Sequence, residues 1–302
     1  MLRKILLITL LISLLTACSS ISPASGNLTF TDGLGREVKL NGPAQRVISM
    51  APSNTEILYA IGVGEQVVGR DALSDFPEEA KSATDIGSTF DALNTELIVS
   101  LKPDLVIAAE INTPEQVKQL EDLGLTVYYL KNPLTLEEMY GNLEIVAQLT
   151  GHEQEVTSLI ESLKKRVAAV DEKIAPISSR PGVFYELDGT DPAKPYTAGT
   201  GTFIDQLIER AGGHNIAADL DGYPQMSLEQ VVAADPAFIL LGDARYGVSP
   251  ESIAQRPGWE NLSAVKNGKV LPFNDDLVSR PGPRLVDALE ELAKTFRPEL
   301  FE

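Results

Sequence analysis

The feature that most constrains this chain is a segment that occurs twice. Aligning Glu96-Leu97-Ile98-Val99 with Glu229-Gln230-Val231-Val232 also aligns Pro103 with Pro236 and brings the apolar runs LVIA and FILL into register. In each copy a polar residue suited to capping a helix, Asn94 or Ser227, precedes a short helical stretch, and a proline breaks that stretch before an apolar run. A short helix feeding a continuously apolar strand is the pattern of a parallel sheet covered on both faces. One copy in each half predicts two similar α/β lobes. The alternative explanation of so short a match is an idiom common to α/β chains.

The rest of the chain fits around those two units. LTFTDGLGREVKL alternates on either side of Asp32-Gly33-Leu34-Gly35 and predicts a hairpin. QRVISM, a loop, and a helix through APSNTEILYAIG, stopped by Gly62 and Gly64, predict a β-loop-α unit. A helix over 114–123 and a strand at LTVYYL follow. From Leu136 to about Ile174 only Gly141 and Gly151 interrupt a helical pattern, which predicts two helices or one long helix broken near Gly151. After Pro176 the alternation restarts with GVFYELD and then TGTFIDQLIERAGG. The expected organisation is an N-terminal α/β lobe over 28–134, a bridging helical segment over 135–175 and a C-terminal α/β lobe over 176–302, with mostly parallel sheets.

The first residues read as an address. Arg3 and Lys4 precede an apolar run from Ile5 to Leu15, too short to span a bilayer as a helix, and Leu15-Thr16-Ala17-Cys18 resembles a bacterial lipobox. The expectation is a signal peptide over 1–17, lipidation at Cys18, the chain's one cysteine, and a polar linker to residue 27. The protein would be exported and held by lipid at the outer face of the cell membrane, or in the periplasm.

Charge narrows the partners. The 302 residues carry 25 Lys+Arg against 43 Asp+Glu, a formal net charge of −18, which opposes nucleic acid and anionic lipid and favours a cationic partner. One Cys and two His leave no internal disulfide and no Cys/His zinc site. For catalysis the sequence offers neither a Gly-x-Ser-x-Gly elbow nor a P-loop. His152 and His214 fall at helix ends, Gly62 and Gly64 follow a helix rather than a strand, and Asp275/Asp276 read as a solvated acidic edge. Gly199 and Gly201 precede a helix and are read as a turn, with anion holding by their backbone N–H groups as the alternative. An exported hydrolase is the competing class, and no nucleophile–base pair supports it. The loops SMAPSNT, GSTFDA and NDDLVSR, from both lobes, would instead meet in a ligand-binding cleft.

Several stretches taken together, RVISMAPSNTEILYAIG, ALSDFPEEA, ALNTELIVSLKPDLVIA, TAGTGTFIDQLIERAGGHNIA, YPQMSLEQVVAADP, RPGWENLSAVKNGKV and DLVSRPGPRLVDALEELA, resemble the class III periplasmic substrate-binding proteins of ABC importers for iron chelates, haem and cobalamin. Within that class the chain is most similar to the cobalamin (vitamin B12) binders. The resemblance implies two lobes bridged by one long helix, no resident cofactor, and a permease dimer as partner, docked through one carboxylate per lobe. Those carboxylates are Glu96 and Glu229, the two glutamates that the repeat pairs; each also falls in the first turn of a helix, where the dipole stabilises an acid on its own account.

For the ligand, the resemblance places Phe90, Tyr223, Asp276 and Arg280 at the cleft, with Pro52, Leu73, Tyr185 and Tyr196 completing its wall. Such a set suits a large ring system edged with amides: apolar faces cover the ring, while Asp and Arg satisfy amide donors and acceptors. Cobalamin binders often carry tryptophans where this chain has Phe90 and Tyr223, and Trp259 lies in a motif read as structural. Haem would ask for an axial Tyr or His, and anionic ferric siderophores for several cations, where only Arg280, helped by Arg70 and Arg284, is in prospect.

Overall fold

The computed structural model describes residues 27–302. The leader, Cys18 and the linker up to residue 26 lie outside the described residues. In chain order the strands are β1 (Leu28–Thr31), β2 (Glu37–Leu40), β3 (Val47–Ser49), β4 (Val67–Arg70), β5 (Thr84–Asp85), β6 (Leu105–Ala109), β7 (Val127–Leu130), β8 (Gly182–Glu186), β9 (His214–Asn215), β10 (Phe238–Leu241) and β11 (Val270–Pro272). The α-helices are α1 (Pro52–Ala60), α2 (Thr95–Ser100), α3 (Pro114–Asp122), α4 (Leu136–Thr150), α5 (Glu153–Ile174), α6 (Phe203–Arg210), α7 (Leu228–Ala234), α8 (Pro250–Ala254), α9 (Ser263–Lys266), α10 (Asp276–Ser279) and α11 (Leu285–Phe296).

Two lobes result, each built on its own parallel sheet. The N-terminal sheet runs β5-β4-β3-β6-β7 and the C-terminal sheet β11-β10-β8-β9, and every pairing in both is parallel. The continuous apolar runs are the cause: β6 and β10 are buried at every position, as strands covered on both faces must be. The hairpin β1–β2 is antiparallel and closes the β7 edge. There the Gly33 N–H donates to the Tyr129 carbonyl at 2.8 Å, and the Asp32 carboxylate accepts from the Tyr129 N–H at 3.2 Å.

Between the lobes the helical run is two helices. Gly151 caps α4 in the left-handed conformation, φ 79°, which a glycine adopts without steric penalty, and the chain restarts at Glu153. α5 has 22 residues and so extends about 33 Å, enough to underlie both lobes. Its buried residues Val156, Ile160, Leu163, Val167, Val170 and Ile174 alternate in steps of four and three, which makes one apolar stripe. That stripe belongs to a core joining Val47, Leu105 and Leu130 of the N-terminal lobe to Val183, Leu207 and Leu289 of the C-terminal lobe. Each sheet keeps a separate core on its other face, around Ile48, Ile98 and Leu120 in one lobe and Phe184, Trp259 and Ile253 in the other. Polar ties run alongside the stripe: Arg166 of α5 reaches Asp287 at 2.6 Å and Glu290 at 2.8 Å on α11, and Arg210 of α6 reaches Asp171 at 2.7 Å. Among the described residues no helix is long and apolar enough to cross a membrane.

Candidate functional site

The loops that follow the carboxyl ends of β3, β4, β5, β6, β7, β10 and β11 line one cleft between the lobes. β3 leads to Ala51, Pro52 and Ser53, β4 to Ala72, Leu73 and Asp75, and β6 to Ile111. Across the gap β10 leads to Arg245 and Tyr246, and β11 to Asp275, Asp276, Ser279 and Arg280. The enclosed space is about 340 Å³, within the range of small-molecule clefts. All three loops singled out from the sequence contribute to it.

The two walls differ in kind. The N-terminal wall is mostly apolar, and on it Phe90 is 74% exposed, a large ring left open to solvent at the cleft. The C-terminal wall is charged, and its charges are already engaged. Arg280 is nearly buried and reaches Asp75 at 2.6 Å, Asp276 at 3.1 Å and Glu56 at 3.3 Å; Arg245 reaches the same Oδ1 of Asp276 at 2.6 Å. Beneath them Arg284 pairs with Glu56, its Nε at 2.7 Å, and stacks its guanidinium over the Phe76 ring at 4.0 Å. Since Glu56 and Asp75 belong to the N-terminal lobe and the arginines to the other, this network clasps the lobes at the cleft floor.

The protonation equilibria follow from that geometry. Burial pushes the Glu56 carboxyl up, against the opposing pull of Arg284 and Arg280. For Asp75 desolvation also acts upward, but the hydrogen bond and charge of Arg280 outweigh it and hold the carboxyl below the usual aspartate value. Counting lining groups, three aspartates face two arginines, so the cleft carries an acidic excess.

Of the residues expected at the cleft, Pro52, Leu73, Phe90, Asp276 and Arg280 line it. Tyr185 does not. It is fully buried in β8, its ring edge-on to Phe273, and its hydroxyl donates to Asp275 at 2.6 Å; the residue braces a cleft carboxylate from behind. Tyr196 sits outside the lining residues, and its backbone is occupied by bridges to Asp188 and Gln225. Tyr223 is exposed beyond the lining set, and desolvation raises its hydroxyl together with the charges of Asp275 and Glu110, one from each lobe. Of the two helper arginines, Arg284 is taken up by Glu56, and Arg70 turns to the Asp71 carbonyl at 2.9 Å.

Elsewhere the structural readings account for the side chains. Trp259 is buried, tilted against Phe184 at 6.0 Å, with its N–H donated to the Pro192 carbonyl. Gly199 is a turn residue: a Cβ there would overlap the Leu220 carbonyl oxygen, and its N–H already donates to Gly222. His152 and His214 turn to the Thr150 carbonyl and to Glu209.

Tyr246, Arg245, Asp75 and Glu56 were missed. Tyr246 and Arg245 follow β10 directly, so the rule that ligands meet the carboxyl ends of parallel strands would have found them. Glu56 had a signal too, as the single charged residue of the helix PSNTEILYA.

Glu96 and Glu229 are not among the residues that line the cleft; they lie on α2 and α7. Each is exposed in the first turn, and the capping expectation holds: the Asn94 side chain accepts from the Leu97 N–H at 3.1 Å, and Ser227 from the Gln230 N–H at 3.3 Å.

Two lobes over a shared helical base, with one cleft between the carboxyl ends of their sheets, define a class: two-lobed proteins that capture a small molecule between domains. The chain belongs to the periplasmic binding protein family, whose model matches residues 47–277. It is 34% identical over 280 residues to an uncharacterized ABC transporter substrate-binding lipoprotein, YvrC, of Bacillus subtilis (strain 168), covering 91% of this chain and 87% of that one. Among solved structures it is similar to the periplasmic vitamin B12 binding protein BtuF of Vibrio cholerae, with TM-score 0.71, 31% identity, and 85% and 98% of the two chains covered. It is also similar to the periplasmic heme-binding protein RhuT of Roseiflexus sp. RS-1, with TM-score 0.76, 30% identity, and 85% and 99% covered.

Proposed function

We propose that this chain is the extracytoplasmic substrate-binding lipoprotein of an ABC importer, anchored through Cys18, and that its cleft takes a corrinoid such as cobalamin. It carries out no reaction; its relatives are transport proteins. The observation that supports the corrinoid most strongly is the pairing of an exposed Phe90 with a charged wall whose arginines are already neutralised. An apolar face suits a large ring. Carboxylate oxygens of Asp75 and Asp276, held in place by Arg280, suit the N–H groups of amide side arms, whereas an anionic ligand would have to displace one of them. The acidic excess weighs in the same direction against ferric siderophores that carry net negative charge.

One observation favours a second reading. Tyr246 is 81% exposed at the cleft, and its phenol is the kind of oxygen donor that haem iron accepts. Calorimetry with cyanocobalamin, haemin and a ferric siderophore separates the candidates. Heat with cyanocobalamin alone is expected. Saturable binding of haemin with a tyrosinate-to-iron absorption band that Tyr246→Phe abolishes would replace corrinoid by haem, and silence with every corrinoid would remove it.

Delivery is assigned to Glu96 and Glu229, which would meet basic residues on a permease dimer. Reversing both to Lys should abolish uptake and leave ligand affinity unchanged; normal uptake would reject the assignment.

A further inference from the structure

The two lobes carry the same surface device, and it is larger than a pair of carboxylates. α2 and α7 each put a glutamate in the first turn, bury the residue two positions on, Ile98 or Val231, and expose the next, Val99 at 41% and Val232 at 45%. Glutamate and valine are three apart, so they share a helix face. Both segments then enter the left-handed region at a residue other than glycine: Lys102 at φ 50° and Asp235 at φ 42°, each just before the proline, are the two such positions among the described residues. The backbone of the repeat is therefore reproduced in detail, including its least favourable conformation.

Against that common backbone most exposed positions differ. Ser100 corresponds to Ala233 and Lys102 to Asp235, and the half-buried Leu97 to an exposed Gln230. The exposed residues that match are the glutamate and the valine. An exposed β-branched residue contributes little to a short helix and leaves apolar area in water; what points to a partner is its repetition beside the repeated acid in both lobes. The Glu229 carboxylate is held below the usual glutamate range by hydrogen bonds from its own backbone N–H and from Ser227, so the charge beside Val232 persists at neutral pH.

We propose that Val99 and Val232 complete two equivalent docking patches, each an apolar contact beside a carboxylate, and that their occupant is the two-fold symmetric permease dimer, through a basic residue next to an apolar pocket on each subunit. Two like patches on two lobes of one chain call for a partner that presents the same surface twice. The acid supplies orientation and rate of encounter, and the valine supplies the dry centre that holds the complex. This inference rests on the reading of the chain as an importer's binding protein.

The test uses the full chain in cells of its own source and needs no ligand. A photoreactive benzoylphenylalanine replaces Val99, Val232, Glu96 or, as a control on α11, Glu291, and adducts are identified by mass spectrometry after irradiation. Adducts of both Val99 and Val232 with the same transmembrane importer subunit, and none from Glu291, are expected. In a V99S/V232S background the adduct at Glu96 should fall at least fivefold while the melting temperature stays unchanged. Capture of the subunit from Glu96 but from neither valine position, or an undiminished Glu96 adduct in the double-serine background, overturns the inference and leaves the importer reading standing. Capture of no importer subunit from any of the three positions overturns both.

Discussion

One small patch on the outside of each lobe matches, whereas the inner walls of the cleft do not. Outside, α2 and α7 repeat a cap, an acid, a buried aliphatic, an exposed valine and a strained residue before proline. Inside, one wall is apolar around Phe90 and the other is an ion network around Arg280. A duplicated architecture has kept its likeness where a symmetric partner would be met and lost it where an asymmetric small molecule would be held. Symmetry in such a chain is a property of what each surface touches, not of the ancestry of the fold alone.

That contrast can be broken from either side. The largest effect is expected at the floor of the cleft: Glu56→Leu leaves Arg284 nearly buried without its carboxylate, which should cost about 3 kcal/mol by denaturant unfolding. The outer acids should behave oppositely; Glu96→Gln with Glu229→Gln should move stability by less than about 0.5 kcal/mol, as for other exposed side chains. Next comes Phe90→Ala, which removes an exposed ring and should weaken corrinoid binding about tenfold, with no loss of melting temperature. Tyr185→Phe sharpens the same wall from behind: Asp275 loses its buried donor, and stability should fall by about 1 kcal/mol. The smallest effect is one of pH. Asp75 titrates below its ordinary value in the folded chain, so its bridge to Arg280 is fully present above the unfolded pKa and is lost as pH falls through the folded one. Because Asp75 is about half exposed, solvent screening keeps that contribution under about 1 kcal/mol, lost below about pH 4; Asp75→Asn should flatten the difference in acid unfolding midpoints.

Much of the fold was legible because its signals are local. The caps at Asn94 and Ser227, the break at Gly151 and the apolar runs of β6 and β10 each declare themselves within a few residues. The site was legible only in part, for two physical reasons. In β8 both Phe184 and Tyr185 are buried, since the sheet is covered on both faces, so alternation along the strand could not tell a wall residue from a core residue. The partners of Glu56 lie more than two hundred positions away, at Arg280 and Arg284, and no spacing rule reaches that far. The sequence therefore presented Arg280 as a free cation for the ligand, whereas folding had already surrounded it with three carboxylates.

The core that runs along α5 beneath both lobes has a mechanical meaning. Opening the lobes by a wide angle would tear apolar contacts along the whole stripe, so the base opposes large changes in the spacing between the lobes. In mechanical terms the base is a stiff backplate: a partner that reached both the α2 and the α7 surface, as proposed, would meet them at a spacing that the shared apolar stripe resists changing.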